Sequence, residues 1–266
     1  MLPVPRVRAL AALCGPSAPA DLAELITIAE SDPELTAALV RAANSAASAP
    51  LERIASARGA GTRLGARTTG DVLLRAVIEE TFDISKSGLD PDSLWRHLVL
   101  CAVLTEAAIG RESRGFTAGM LHDVGRMAMA SQRPEEYRAV VAAAQSGENV
   151  VAAELAVFGM THEQWGALVT RSWGLPSTIV AAASTHHLQS ASPLASAVFH
   201  ARGVASALGW GDGLQGASQT PTAISLVLSW RENVGSDPWA AAALRRVGGF
   251  PVLAERLGLE QTPHAA

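Results

Sequence analysis

Apolar residues recur at three- and four-residue intervals along most of this 266-residue chain, and no stretch sustains the two-residue alternation of a half-buried strand. The β-branched and aromatic clusters that mark strands are missing as well. The pattern predicts an all-α protein. Asp21 opens a helix with Leu22, Leu25, Ile26 and Ile28 on roughly one face. Asp32 and Pro33 form a cap and first-turn pair for a second helix that reaches Ala43, where Asn44-Ser45 ends it. Glu52–Gly59 and Arg67–Glu80 read as two short helices separated by Gly61 and Gly65. The polar stretch from Asp83 to Pro91 predicts a connection between two helical halves.

Beyond it, a helix capped by Asp92 or Ser93 carries Leu94, His97, Leu98, Cys101, Ala102, Thr105 and Ala108 in an i, i+3, i+4 series, which turns His97 inward. Phe116–Ala130 is apolar nearly all round and predicts one central helix. Pro134–Gln145 and Asn149–Phe158 follow, then a helix capped by Thr161 with His162, Trp165, Gly166 and Val169 on one face. Gly166 thins that helix where another element must come near. Trp173-Gly174 stops it, Pro176 starts the next, and that one runs to His186-His187. A helix from Leu194 to Leu208, a glycine-rich loop from Gly209 to Ala217, and helices near Pro221–Arg231, Pro238–Val247 and after Pro251 complete the reading.

Composition narrows the class. Hydrophobic residues make up 48% and charged residues 17%, the balance of a well-buried globular chain. The net charge of −4 gives no general reason to expect nucleic acid or a membrane surface. Arg53, Arg58, Arg63 and Arg67 form a basic stretch without aromatic interleaving, which reads as a solvated face, with a patch for an acidic partner or phosphate as the alternative. No run of 18 apolar residues occurs, the first residues do not read as a signal peptide, and a cytoplasmic location is expected. Cys14 and Cys101 lack metal spacing and lie in apolar runs, so they read as buried thiols in a reducing compartment.

Histidine placement changes the picture most. Five of the seven histidines fall between His97 and His187, and His122 is followed directly by Asp123, an imidazole and a carboxylate on consecutive residues. Gly125 would admit a close neighbour, and Arg126 adds a fixed cation with a fork of donors. Several buried imidazoles are costly to desolvate unless they share partners or a cation. His97, His122, Asp123, His162, His186 and His187 are therefore candidate metal ligands, suited to iron, manganese or zinc. A metal-free, hydrogen-bonded histidine core is the alternative.

The order His97, His122-Asp123, His162 four residues before Gly166, and His186-His187 resembles the HD phosphohydrolase superfamily, and more closely the HDOD domain of bacterial signalling proteins. Ser31-Asp32-Pro33-Glu34-Leu35 followed by Asn44-Ser45 matches the narrower family, as do Phe158-Gly159-Met160-Thr161-His162 and Trp173-Gly174-Leu175-Pro176. The resemblance implies an HDOD domain over residues 1–209, with an N-terminal helical half (1–88) packed on an HD-like half (89–209), and a C-terminal helical extension over 210–266. Two departures stand out. Arg202 falls where HD phosphohydrolases place a last aspartate ligand, and a guanidinium cannot ligate a cation. Leu188–Pro193 replaces the Asp-Gly-x-Gly-Tyr-Pro signature of the related cyclic-di-GMP phosphodiesterases. The resemblance so read implies a non-catalytic regulatory module that binds a signalling partner or small regulator. A metal-dependent phosphohydrolase with an altered ligand set, using Arg126 to hold phosphoryl oxygens, is the alternative.

Overall fold

The computed structural model describes residue 13 and residues 21–45, 53–110, 114–189, 192–214, 222–257 and 259. Among them every regular element is helical. The elements are α1 (Leu22–Glu30), α2 (Pro33–Ala43), α3 (Ala57–Thr81), α4 (Pro91–Ile109), α5 (Gly115–Leu121), α6 (Val124–Gln132) and α7 (Pro134–Gln145), then α8 (Val150–Phe158), α9 (His162–Ser172), α10 (Ser177–Thr185), α11 (Pro193–Ala207), α12 (Ala223–Asn233), α13 (Pro238–Val247) and α14 (Phe250–Arg256). No described helix is long and apolar enough to cross a membrane.

Two compact units form. The first holds the described residues up to Asp83 together with Arg171–Pro176. Asp32 caps α2 by accepting from the amides of Glu34 and Leu35, and Pro33 fills the first helical position. Asn44 closes α2 with its amide. Its Nδ2 donates to the carbonyls of Val40 and Ile54 at 2.8 Å each, and its Oδ1 accepts from the Ile54 amide at 2.9 Å. A side chain here imitates a backbone pairing, which gives the Asp-Pro…Asn-Ser pattern a structural role. The start of the helix expected from Glu52 lies outside the described residues; among them α3 begins at Ala57, capped by the Ser56 hydroxyl. Gly61 does not interrupt α3, because it is the flat spot on which Ile26 rests. Gly65, at φ 76° and ψ 165°, is the break. The exposed Arg53, Arg58, Arg63 and Arg67 follow the expectation of a solvated face.

The second unit holds Ile84–Thr170 and the described residues from Ser177 onward. α4 is capped by Asp90 rather than Asp92 or Ser93, with Pro91 at the first position. α5 crosses α4 very closely: a β-carbon on Gly119 would sit 2.5 Å from the Ala102 Cα, so only glycine permits the approach. α11 packs on α4, and Leu226, Trp230 and Leu253 of the last helices share a core with Leu100 and Leu104. That core backs the face of α4 from which His97 and Cys101 project.

Candidate metal centre

His122 and Asp123 do not lie within a helix. α5 ends at Leu121 and α6 starts at Val124, so the single helix expected over Phe116–Ala130 is broken at the two residues that carry the chemistry. His122 keeps helical angles, whereas Asp123 has φ −97° and ψ 16°. The turn releases the pair from the spacing of about 100° that consecutive helical residues impose. His122 Nε2 lies 3.4 Å from Asp123 Oδ2.

Two glycines bring the other side of the site up to Asp123. A β-carbon on Gly125 would overlap the His162 carbonyl oxygen and the Gly166 amide nitrogen, so α6 and α9 touch backbone to backbone. Thr161 and Gln164 cap α9 reciprocally, through Gln164 N to Thr161 Oγ1 at 3.3 Å and Thr161 N to Gln164 Oε1 at 3.0 Å. His162 is thereby held at the first position of its helix, fully buried. Gly174, at φ 68°, provides the sharp turn expected before Pro176.

The imidazoles are oriented through their Nδ1 atoms. His97 Nδ1–H donates to the Trp210 carbonyl at 3.0 Å, His122 to Gly119 at 2.7 Å, and His186 to Ala183 at 3.0 Å. His162 Nδ1–H donates to Glu154 Oε2 at 2.6 Å. A carbonyl or carboxylate can only accept, so in each neutral ring Nε2 is left as a lone pair. These lone pairs converge in two clusters. His97 and His122 bring their Nε2 atoms to 3.2 Å, and His162 Nε2 lies 3.1 Å from that of His186 and 2.9 Å from that of His187. Asp123 stands between them: Oδ2 is 3.9 Å from His97 Nε2, while Oδ1 is 3.5 Å from His162 Nε2 and 3.2 Å from His186 Nε2. Both oxygens are buried and accept no hydrogen bond among the described residues.

Acceptor facing acceptor in a dry interior is unstable unless something positive sits between. Protonating His97 and His186 is disfavoured: burial pushes His97 down to about 4, and burial also holds His186 well below the ordinary histidine range. Burial and the Arg202 guanidinium push His187 down to about 3. Asp123 is opposed by burial, yet the Arg126 guanidinium holds it well below the usual carboxylate range. Glu154 is likewise opposed by burial and held down by its hydrogen bond from His162. Beside these rings the three carboxylates Asp123, Glu154 and Asp212 face one fully buried guanidinium, Arg126, with Arg202 at the edge. The donor set and the charge deficit both fit a divalent cation.

All six sequence-identified metal candidates meet here, His187 half-buried and the others buried. Arg126 meets them too, but its Nη1 is held by Asp212 Oδ2 at 2.5 Å and its Nη2 lies 3.9 Å from Asp123. The guanidinium assigned to phosphate is thus engaged by the protein's own carboxylate. Arg202 points at the second cluster, donating to the His186 carbonyl at 3.1 Å and lying 3.4 Å from His187 Nε2. Sequence reasoning missed Glu154, Asp212 and the setting of Cys101. Each left a signal: Glu154 is the one acid of α8, Asp212 the one acid of its glycine-rich loop, and Cys101 follows His97 by one helical turn. Cys101 is the buried free thiol expected from its apolar run, and its Sγ also borders the site, 3.7 Å from His97 Nε2. Cys14 lies outside the described residues.

The HDOD domain family model matches residues 4–189. The chain belongs to the HDOD family. Solved structures agree in fold: an HDOD domain protein of unknown function from Geobacter sulfurreducens is 22% identical with a TM-score of 0.63, over 98% of this chain and 93% of that one. A protein provisionally named a phosphohydrolase from Shewanella amazonensis is 21% identical with a TM-score of 0.67, over 97% and 93%. One provisionally named a signal transduction protein from Marinobacter aquaeolei is 21% identical with a TM-score of 0.68, over 97% of this chain and 59% of that one. No curated protein matches the chain.

Proposed function

We propose that this HDOD-family chain is a signalling module whose HD-like half holds divalent transition metal in a closed, non-catalytic centre of two adjacent sites joined by Asp123. Its output is the binding of a partner protein or small regulator. The observation that carries this reading is the closure of the site. Its ligand candidates are buried apart from His187, and Asp212 occupies Arg126. Catalytic metal sites keep a position open for water or substrate, whereas structural sites fill every position with protein donors. His97 and His122 on one side of Asp123, and His162, His186 and His187 on the other, would hold the metal, which when bound supplies the positive charge that the converging lone pairs and a buried carboxylate require. The reading is supported by the replacement of the expected distal aspartate by Arg202.

A test is direct. Purified chain loaded with Mn²⁺ or Fe²⁺ is offered nucleotides and cyclic dinucleotides; the expected result is bound metal without turnover. Hydrolysis that His122→Ala abolishes would overturn the reading. One observation favours the second reading, a metal-dependent phosphohydrolase: His187 is half-buried and Arg202 reaches it, so this edge of the second cluster offers a cation to an incoming phosphate.

A further inference from the structure

We propose that Cys101 is a metal ligand: with His97 and His122 it forms a three-donor site, bordered by Asp123 Oδ2, for a thiolate-binding cation, zinc or ferrous iron. This rests on reading the histidine clusters as a metal centre, and it adds the group that selects the ion.

Cys101 and His97 are four residues apart on α4, so their side chains leave the same face. The sulfur and the Nε2 atoms of His97 and His122 all lie within 4.8 Å of one another. A zinc ion with Zn–N near ~2.0–2.1 Å and Zn–S near ~2.3 Å sets tetrahedral donors roughly 3.3–3.6 Å apart. Here the N–N separation is 3.2 Å, the His97–Cys101 separation 3.7 Å and the His122–Asp123 separation 3.4 Å. These three separations match donors around one ion, and Asp123 Oδ2 stands beside them, 3.9 Å from His97.

The alternative is an S–H donated to His97 Nε2. It satisfies one acceptor and leaves His122 Nε2 facing Asp123 Oδ2 with no proton between them. A cation bound to the thiolate satisfies the His97 and His122 lone pairs and places positive charge beside Asp123, and its binding releases the thiol proton to solvent. The second cluster contains no sulfur among its neighbours His162, His186 and His187, so the two sites differ in softness. The first selects zinc or ferrous iron over manganese and magnesium, and the second suits any imidazole-binding ion.

The experiment uses the full chain carrying Cys14→Ser, which leaves Cys101 as the only thiol, titrated with Co²⁺ and followed by absorption and by bound cobalt. The expected result is a near-ultraviolet thiolate-to-cobalt charge-transfer band. Adding Cys101→Ser removes the band and lowers bound cobalt by one ion per chain. Because the band is read first with Cys101 intact, the test stands even if the second variant fails to fold. Cobalt uptake without the band overturns the thiolate ligand and leaves the metal centre standing. No cobalt uptake at all overturns both.

Discussion

The two histidine clusters share one carboxylate, and His97, His122, His162 and His186 are oriented through Nδ1, yet the anchoring chemistry differs. His97 and His122 lean on the neutral carbonyls of Trp210 and Gly119, whereas His162 leans on the buried carboxylate Glu154, itself fixed by the Tyr137 hydroxyl at 3.0 Å. An ionised acceptor behind an imidazole raises its basicity and fixes its tautomer more firmly. The first cluster is sealed; the second ends at half-buried His187 with Arg202 beside it. The two clusters therefore differ in exposure as well as in anchoring. On the proposed function, the first would hold an ion and the second would meet an arriving partner or anion.

The largest effect is expected where the comparison collapses. Asp123→Asn removes the charge that both clusters share, and the new amide supplies N–H donors to the stranded lone pairs. The variant should fold but lose metal from both sites, by more than the roughly 10–100-fold that altering an outer partner of a ligand produces. Metal content by mass spectrometry, with a thermal melt as control, checks this.

A second effect separates protonation from metal. In the metal-free protein His97 titrates near 4, against 6.5 when free in water. The unfolded chain therefore binds a proton that the folded one refuses, and stability falls as pH drops from 6.5 to about 4. His97 alone contributes about 3 kcal/mol to that loss, because it is fully buried. Urea unfolding across this interval should show the slope, and saturating metal should extend it below pH 4, because a bound ion keeps the ring unprotonated.

Gly125→Ala tests how the second cluster reaches the first. The added methyl must separate α6 from α9, at about 1–3 kcal/mol or more. The melting temperature should fall by roughly 2–4 °C per kcal/mol. Metal should be lost from the His162 cluster before the His97 cluster. Smallest of all, Glu154→Gln keeps an acceptor for His162 but removes its charge. Metal affinity at the second cluster should drop about 10-fold, with the first unchanged. Equal losses at both sites would erase the distinction drawn between them.

What sequence made legible was the part governed by local rules. Helical periodicity, the Asp32-Pro33 cap and the glycine stop at Gly174 are all decided within a few residues. The inward turn of His97 and the close approach at Gly166 were readable for the same reason. The break at His122-Asp123 was not: Phe116–Ala130 is uniformly apolar, and only the crowding of Gly115 and Gly119 against α4 and of Gly125 against α9 sets where the helix must part. Glu154 and Asp212 escaped notice because each acts on a residue remote in the chain, the one on His162 and the other on Arg126 across 86 positions. A lone acid in an apolar helix is a weak signal until its partner is known. Cys101 was hidden by a search for cysteine pairs, whereas its partner is a histidine one turn away.

The central claim is that Asp123 joins two metal sites inside a closed core. It is tested most directly by anomalous scattering from crystals of the full chain grown with zinc or manganese. The account expects two peaks, one on either side of the Asp123 carboxylate, roughly 3.5–4 Å apart as in other two-metal centres. A map with no peak at His122 and Asp123 would contradict it and leave a metal-free histidine core in its place.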